Sequence, residues 1–103
     1  MLVAIDRIHS YTVDVTFEQF RASPMRVEAV LYNFAVLGEA ANHAGRHAAA
    51  AHPEIVWSDI RAMRNVVVHE YAGVRLETIW ETVQRDLPRL REKLVSVLNS
   101  DPG

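Results

Sequence analysis

The sequence predicts an all-α, up-and-down helical bundle with about four main helices. Three observations predict it. Apolar residues return every three or four positions along most of the chain, and only four Gly and four Pro interrupt it. Alternation of the β type is confined to Thr12-Val13-Asp14-Val15, too short to build a sheet. The 103 residues contain no linker, repeat or low-complexity tract, which fits a single domain over residues 1–103.

Leu2, Ile5, Ile8 and Tyr11 recur at helical spacing and predict a short first helix. Thr12 to Ser23 reads as a loop, within which Thr16-x-x-Gln19 has the capping-box pattern that can start one turn. Ser23-Pro24 is an N-cap and first-turn signal for a long second helix. The apolar face of that helix runs through Val27, Val30, Leu31, Phe34, Leu37, Ala41, Ala44 and Ala48. Small residues from Gly38 onward would let another helix approach it closely. His52-Pro53 ends it, because the residue before a proline is pushed out of the α region. Ser58 is expected to cap a third helix, SDIRAMRNVVVHEY, with Gly73 closing it. A fourth helix carries Leu76, Ile79, Trp80, Val83, Leu87, Leu90, Leu94 and Val97 straight through Pro88, where a lost backbone hydrogen bond should bend it.

Composition narrows the function. A chain that is 50% apolar and 23% charged can pack a core, which excludes intrinsic disorder. A formal charge of −2 and a pI near 6.2 exclude a uniformly basic nucleic-acid coat but leave room for a local basic cleft. All the basic residues but Lys93 are Arg, the side chain best suited to gripping phosphate, although a GC-rich genome gives the same bias. Without Cys there can be no disulfide framework, thiolate zinc site or Cys nucleophile. No apolar run approaches the roughly 18 residues a membrane span needs. The N-terminus meets Asp6 and Arg7 too early for a signal peptide, so the expected location is the cytoplasm.

The third helix holds the residues suited to chemistry, in Arg64-Asn65-Val66-Val67-Val68-His69-Glu70-Tyr71. Trp57, Ile60, Met63, Val67 and Tyr71 form one stripe at about 100° per residue, the natural core face. Asn65 and His69 lie opposite, with Arg61 adjoining. Arg64 flanks the core stripe, roughly 140° around the helix from His69. A site using both therefore needs Arg64's long reach, a helix distortion, or a second copy of the helix supplied by symmetry. Taken alone, the Arg-x4-His spacing is a weak pattern, better suited to a surface His, a paired Arg and a buried Tyr.

RNVVVHEY resembles the Arg-x4-6-His signature of HEPN domains, and the Tyr two residues after the His is similar to the narrower form found in HepT toxins, the DUF86 family. FAVLGEAANHAG, HPEIVWSDIRAMRN and LETIWETVQRDLPRLREKL also resemble that family in order and spacing, so that the likeness runs from Ile5 to about Leu98. The chain begins close to where family members are partway into their first helix, and Glu70 is larger and more acidic than the family pattern leads one to expect. The resemblance implies a HEPN-like homodimer whose signature helices meet in one RNA-cutting cleft. It implies a metal-independent endoribonuclease acting on tRNA or other cellular RNA, with Arg64 and His69 as the catalytic pair and Asn65 positioning. It further implies a partner antitoxin, a minimal MNT-type nucleotidyltransferase that spends ATP to attach AMP to Tyr71; the chain itself would need no cofactor and no metal. Glu39, within the family's GEA block, is expected to support Arg64.

These residue types suit RNA cleavage without the family name. RNA supplies its own 2′-OH nucleophile, so a protein must move a proton and tolerate charge on phosphorus. A His of ordinary pKa near 6.5 can do the first and a permanently cationic Arg the second. AMP on Tyr71 would place a negative, bulky group where an RNA phosphate should sit. Tyr71 lies on the core stripe, so its hydroxyl must emerge near the end of the helix, just before Gly73.

Other groupings admit other readings. Glu39, His43 and His47 stand on successive turns, but the helical rise spreads them over about 12 Å, too far to meet on one ion without another helix. Trp57 and Trp80 fall at core spacing. Arg85, Arg89, Arg91 and Lys93 make a basic stretch that Glu81, Asp86 and Glu92 interrupt, as on a solvated face. The alternative function is a non-catalytic helical subunit that binds and regulates a minimal nucleotidyltransferase, its motif serving only as the modified element.

Overall fold

A computed structural model describes the backbone of residues 1–69 and 75–100 and the side chains of residues 1–65 and 75–99. Among the described residues every regular element is helical: α1 (Leu2–Thr12), α2 (Phe17–Arg21), α3 (Pro24–Ala51), α4 (Trp57–His69), α5 (Leu76–Glu81), a π-helical turn (Thr82–Asp86) and α6 (Leu87–Ser100). The predicted all-α bundle is the fold observed. Helix α3 packs against α1, α2 and α4, while α1 also meets α6 and α2 meets α5. The core draws Ile5 and Ile8 from α1, Phe20 from α2, Val30, Phe34 and Leu37 from α3, and Ile79, Val83, Leu87 and Leu94 from the C-terminal helices. None of the described helices is long and apolar enough to cross a membrane.

Local chemistry fixes the ends. Asp14, at φ 58, turns the chain out of α1 in a left-handed conformation that Asp tolerates better than most residues. The capping box then forms as the sequence predicts: Gln19 N–H donates to Thr16 Oγ1 at 3.1 Å, and Thr16 N–H donates to Gln19 Oε1 at 3.0 Å. So short a helix survives because packing holds it, with the Phe20 and Phe17 rings 5.2 and 6.0 Å from that of Trp80. Thr16→Ala is expected to lower the unfolding free energy by about 1 kcal/mol. An unchanged midpoint in urea denaturation would show that packing alone holds this turn.

Helix α3 starts as predicted, with Ser23 Oγ accepting from Arg26 N–H and Pro24 in the first turn, and gives way at His52. It is not one unbroken rod, because Gly45 sits inside it at φ 74 and ψ −172. Only Gly takes that conformation without strain, and here it interrupts the register between His43 and His47. The buried face of α3 accordingly ends at Ala41, while Ala44 and Ala48 are half-buried. Asn33 lies within the core at 2% exposure; its amide donates to Ala29 O, and its Oδ1 has no hydrogen-bond partner among the described residues.

The expected cap of the third helix is corrected: α4 begins at Trp57, and Ser58 already lies inside it. Asp59 and Ile60 N–H donate to Val56 O at 3.1 and 3.3 Å, which puts the helix entrance at Val56. Trp57 is fixed there because its indole N–H donates to His52 O at 3.0 Å, tying the start of α4 to the end of α3. The disturbance expected at Pro88 takes the form of the π-helical turn just before it. Leu87 N–H reaches Thr82 O, five residues back, and the chain continues as α6 without breaking.

Basic side chains of α6 tie the bundle together. Arg91 donates to both oxygens of Asp6 on α1, at 2.7 and 3.4 Å, and Lys93 Nζ donates to Glu54 O. The hydrogen bond from Arg91 holds the Asp6 carboxyl below its ordinary range.

Candidate functional site

Helices α3 and α4 approach each other closely at Gly38. A Cβ placed there would lie 2.7 Å from Arg64 Cβ, 2.8 Å from Arg64 N and 3.2 Å from Arg61 O. The missing side chain is thus what lets the backbone of α4 sit directly against α3, and it fixes where Arg64 leaves its helix. Arg64 Nε then lies 2.7 Å from Glu39 Oε1, on the residue after Gly38. The other carboxylate oxygen, Oε2, lies 3.7 Å from His43 Nε2 one turn further along. Glu39 therefore stands between an arginine on the neighbouring helix and a histidine on its own.

Beside this contact a cleft of about 280 Å³ opens, floored by Gly38 and lined by Asn42 of α3 and by Ser58, Arg61, Arg64 and Asn65 of α4. Its lining is rich in hydrogen-bond donors and carries two guanidinium groups. Arg64 and Asn65, both predicted from the sequence, share it. The backbone of His69 is the last residue of α4, five positions after Arg64, and its side chain lies outside the described residues, as do Tyr71, Glu70 and Gly73. Val67 of the expected core stripe lies outside the described side chains, whereas Ile60 is buried and Trp57 and Met63 are half-buried, packed against the core.

The Glu39, His43 and His47 stripe does not gather: among the described residues no three His or acidic side chains come together in a way that could hold a metal ion. The sequence pattern does not single out Asn42, which enters the cleft because it lies one turn after Gly38. A polar residue four positions beyond the glycine of a close helix contact is the signal that marks it.

The family model and the curated relatives point to one family. The profile of the HepT-like ribonucleases matches residues 1–97. A protein of Thermococcus cleftensis named as a probable ribonuclease HepT is 33% identical over 90 residues, covering 87% of this chain and 82% of its own. A candidate RNase of Caldanaerobacter subterraneus is 29% identical over 87 residues, covering 84% of this chain and 78% of that one. A longer Methanocaldococcus jannaschii protein, whose name joins a gamma-glutamylcyclotransferase to a candidate RNase, is 30% identical over 98 residues, or 95% of this chain and 44% of that protein. No solved structure gives a significant match. The chain belongs to the HepT-like ribonuclease family.

Proposed function

We propose that this chain is the toxin of a toxin–antitoxin pair, a metal-independent endoribonuclease that acts as a homodimer in the cytoplasm on tRNA or another cellular RNA. The observation that carries the reading is the Arg64–Glu39 ion pair at the wall of a donor-rich cleft, on the helix that five residues later bears His69. Contact through Nε leaves the two terminal nitrogens of Arg64 for a phosphate, whose crowded oxygens they stabilise in the transition state. Asn65 offers an amide to the same group. His69 takes the proton of the 2′-OH as its oxygen attacks phosphorus, and the P–O5′ bond breaks as the departing 5′-oxygen takes a proton from water. The products are a 2′,3′-cyclic phosphate and a 5′-hydroxyl. A second copy of α4 brings the partner's signature residues to one cleft, which removes the angular separation of Arg64 and His69 within a single helix. A nucleotidyltransferase antitoxin silences the site when the Tyr71 oxygen attacks the α-phosphorus of ATP, forming a phosphodiester to AMP and releasing pyrophosphate and the phenolic proton; the added negative charge repels RNA.

The test is incubation of purified protein with RNA in the presence of EDTA, beside His69→Ala, with analysis of the new ends. Cyclic phosphate ends from the wild type alone are expected, together with growth arrest on expression of the wild type alone. New 3′-hydroxyl ends would overturn the mechanism. RNA equally stable with and without the protein would favour the non-catalytic regulatory subunit instead.

A further inference from the structure

We infer that Arg61, with Asn42 and Ser58, forms a second phosphate subsite next to Arg64, so that the cleft takes two consecutive phosphates of single-stranded RNA. The inference rests on reading the cleft as an RNA site, and it concerns residues outside the Arg64–His69 signature.

The two arginines of the cleft differ in their surroundings. Arg64 is engaged by Glu39 at 2.7 Å. Arg61 is exposed and has no ion pair or hydrogen bond among the described residues, although its backbone carbonyl is set firmly against α3 at Gly38. Its main chain is thus anchored, and the residue belongs to the lining of the cleft. No described acid pairs with it: Glu39 across the helix contact is taken by Arg64 and His43, and Asp59, two residues before it, lines a different groove, with Ile60, Met63, Asp86 and Arg89, between α4 and α6. Asn42 and Ser58 line the same cleft as Arg61, and neither side chain is hydrogen-bonded among the described residues. An unpaired arginine, an asparagine and a serine lining one cleft can supply a donor set, and the ligand that fits it is an anionic oxygen cluster.

Spacing makes that ligand a strand and not a single ion. Arg61 and Arg64 stand three residues apart on α4, a separation that places their Cβ atoms about 5–6 Å from each other on one helix face. Neighbouring phosphates along a nucleic-acid strand step by a similar distance. One phosphate on Arg64 and Asn65 therefore brings the next to Arg61, with Asn42 and Ser58 available to its remaining oxygens.

Fluorescence anisotropy with a 2′-O-methylated RNA oligonucleotide, which has no 2′-OH to react, tests the subsite independently of cleavage. Arg61→Gln should weaken binding about tenfold, the loss expected for one charge-assisted hydrogen bond. It should also lower the slope of log affinity against log salt by about 0.7, the value for one phosphate contact on a single strand. Arg61→Lys should restore the slope and only part of the affinity. On a dinucleotide with one phosphodiester, Arg61→Gln should equal the wild type. Unchanged affinity and slope on the long oligonucleotide would overturn the subsite, and so would a change confined to self-association in sedimentation, which would place Arg61 between copies of the chain. If Arg61→Gln loses binding as stated while the wild type cleaves no RNA, the subsite stands and the ribonuclease reading fails.

Discussion

Arg64→Ala should reduce RNA cleavage by about 10²–10³-fold, the range for removing a donor aimed at charge that develops in a transition state. Loss of fold does not account for so large an effect. The side chains of Arg64 and Glu39 are 51% and 41% exposed, and an ion pair so open to water stabilises a protein by about 1 kcal/mol or less. Arg64→Lys should recover little, since a single ammonium cannot meet Glu39 on one side and present a fixed fork to phosphate on the other. Glu39 acts through Arg64 as a positioning residue. Glu39→Gln should therefore lower kcat by a smaller factor, on the order of tenfold, with KM little changed. Single-turnover cleavage of one defined RNA by the three variants, beside urea denaturation of each, separates chemistry from stability. Arg64→Ala cutting within threefold of the wild type would remove Arg64 from the mechanism, whatever else binds in the cleft.

The parts of the fold legible in the sequence are those set by local chemistry. Thr16 and Gln19 read as a capping box because two side chains three residues apart satisfy each other's backbone donors, whatever lies around them. Ser23-Pro24 and His52-Pro53 are legible for the same reason: a cap and a ring constraint act within a few residues. The break at Gly45 is not legible. A lone glycine in an Ala-rich helix reads only as a modest propensity penalty, and nothing in the apolar period announces a positive φ. The π-helical turn is hidden in another way. The apolar residues of α5 and α6 keep helical spacing through it, so the pattern records the buried face but not the slackened hydrogen bonds ahead of Pro88. At the site, the sequence supplies Arg64 and Asn65 through a motif on one helix, whereas the cleft needs a second helix. Asn42 lies more than twenty residues from Arg64 in the chain and reaches the cleft only because α3 and α4 touch. Glu39 is the intermediate case, visible in sequence within a family block, with its contact to Arg64 evident only in the structure.

That dependence on the α3–α4 contact makes Gly38 the position where one methyl group should do the most damage. By propensity alone, Gly38→Ala inside a helix gains about 1 kcal/mol. Packing opposes it. The new Cβ would fall 2.7 Å from Arg64 Cβ and 2.8 Å from Arg64 N, well inside ordinary contact, and neither atom is the free end of a flexible side chain that can swing away. Helix α4 must move as a body, and overpacking of this kind costs about 1–3 kcal/mol. The net expectation is a loss of up to about 2 kcal/mol, larger for Gly38→Val, whose branched side chain adds bulk at the same contact. Because the atoms displaced belong to Arg64, cleavage should fall by more than the loss of folded protein explains, even at temperatures where the variant is fully folded. Urea denaturation and single-turnover cleavage of Gly38→Ala measure the two effects separately. A variant as stable as the wild type would mean that α4 yields at this contact without resistance. A destabilised variant that still cleaves at the wild-type rate when folded would mean that the close approach shapes the bundle but does not set the position of Arg64.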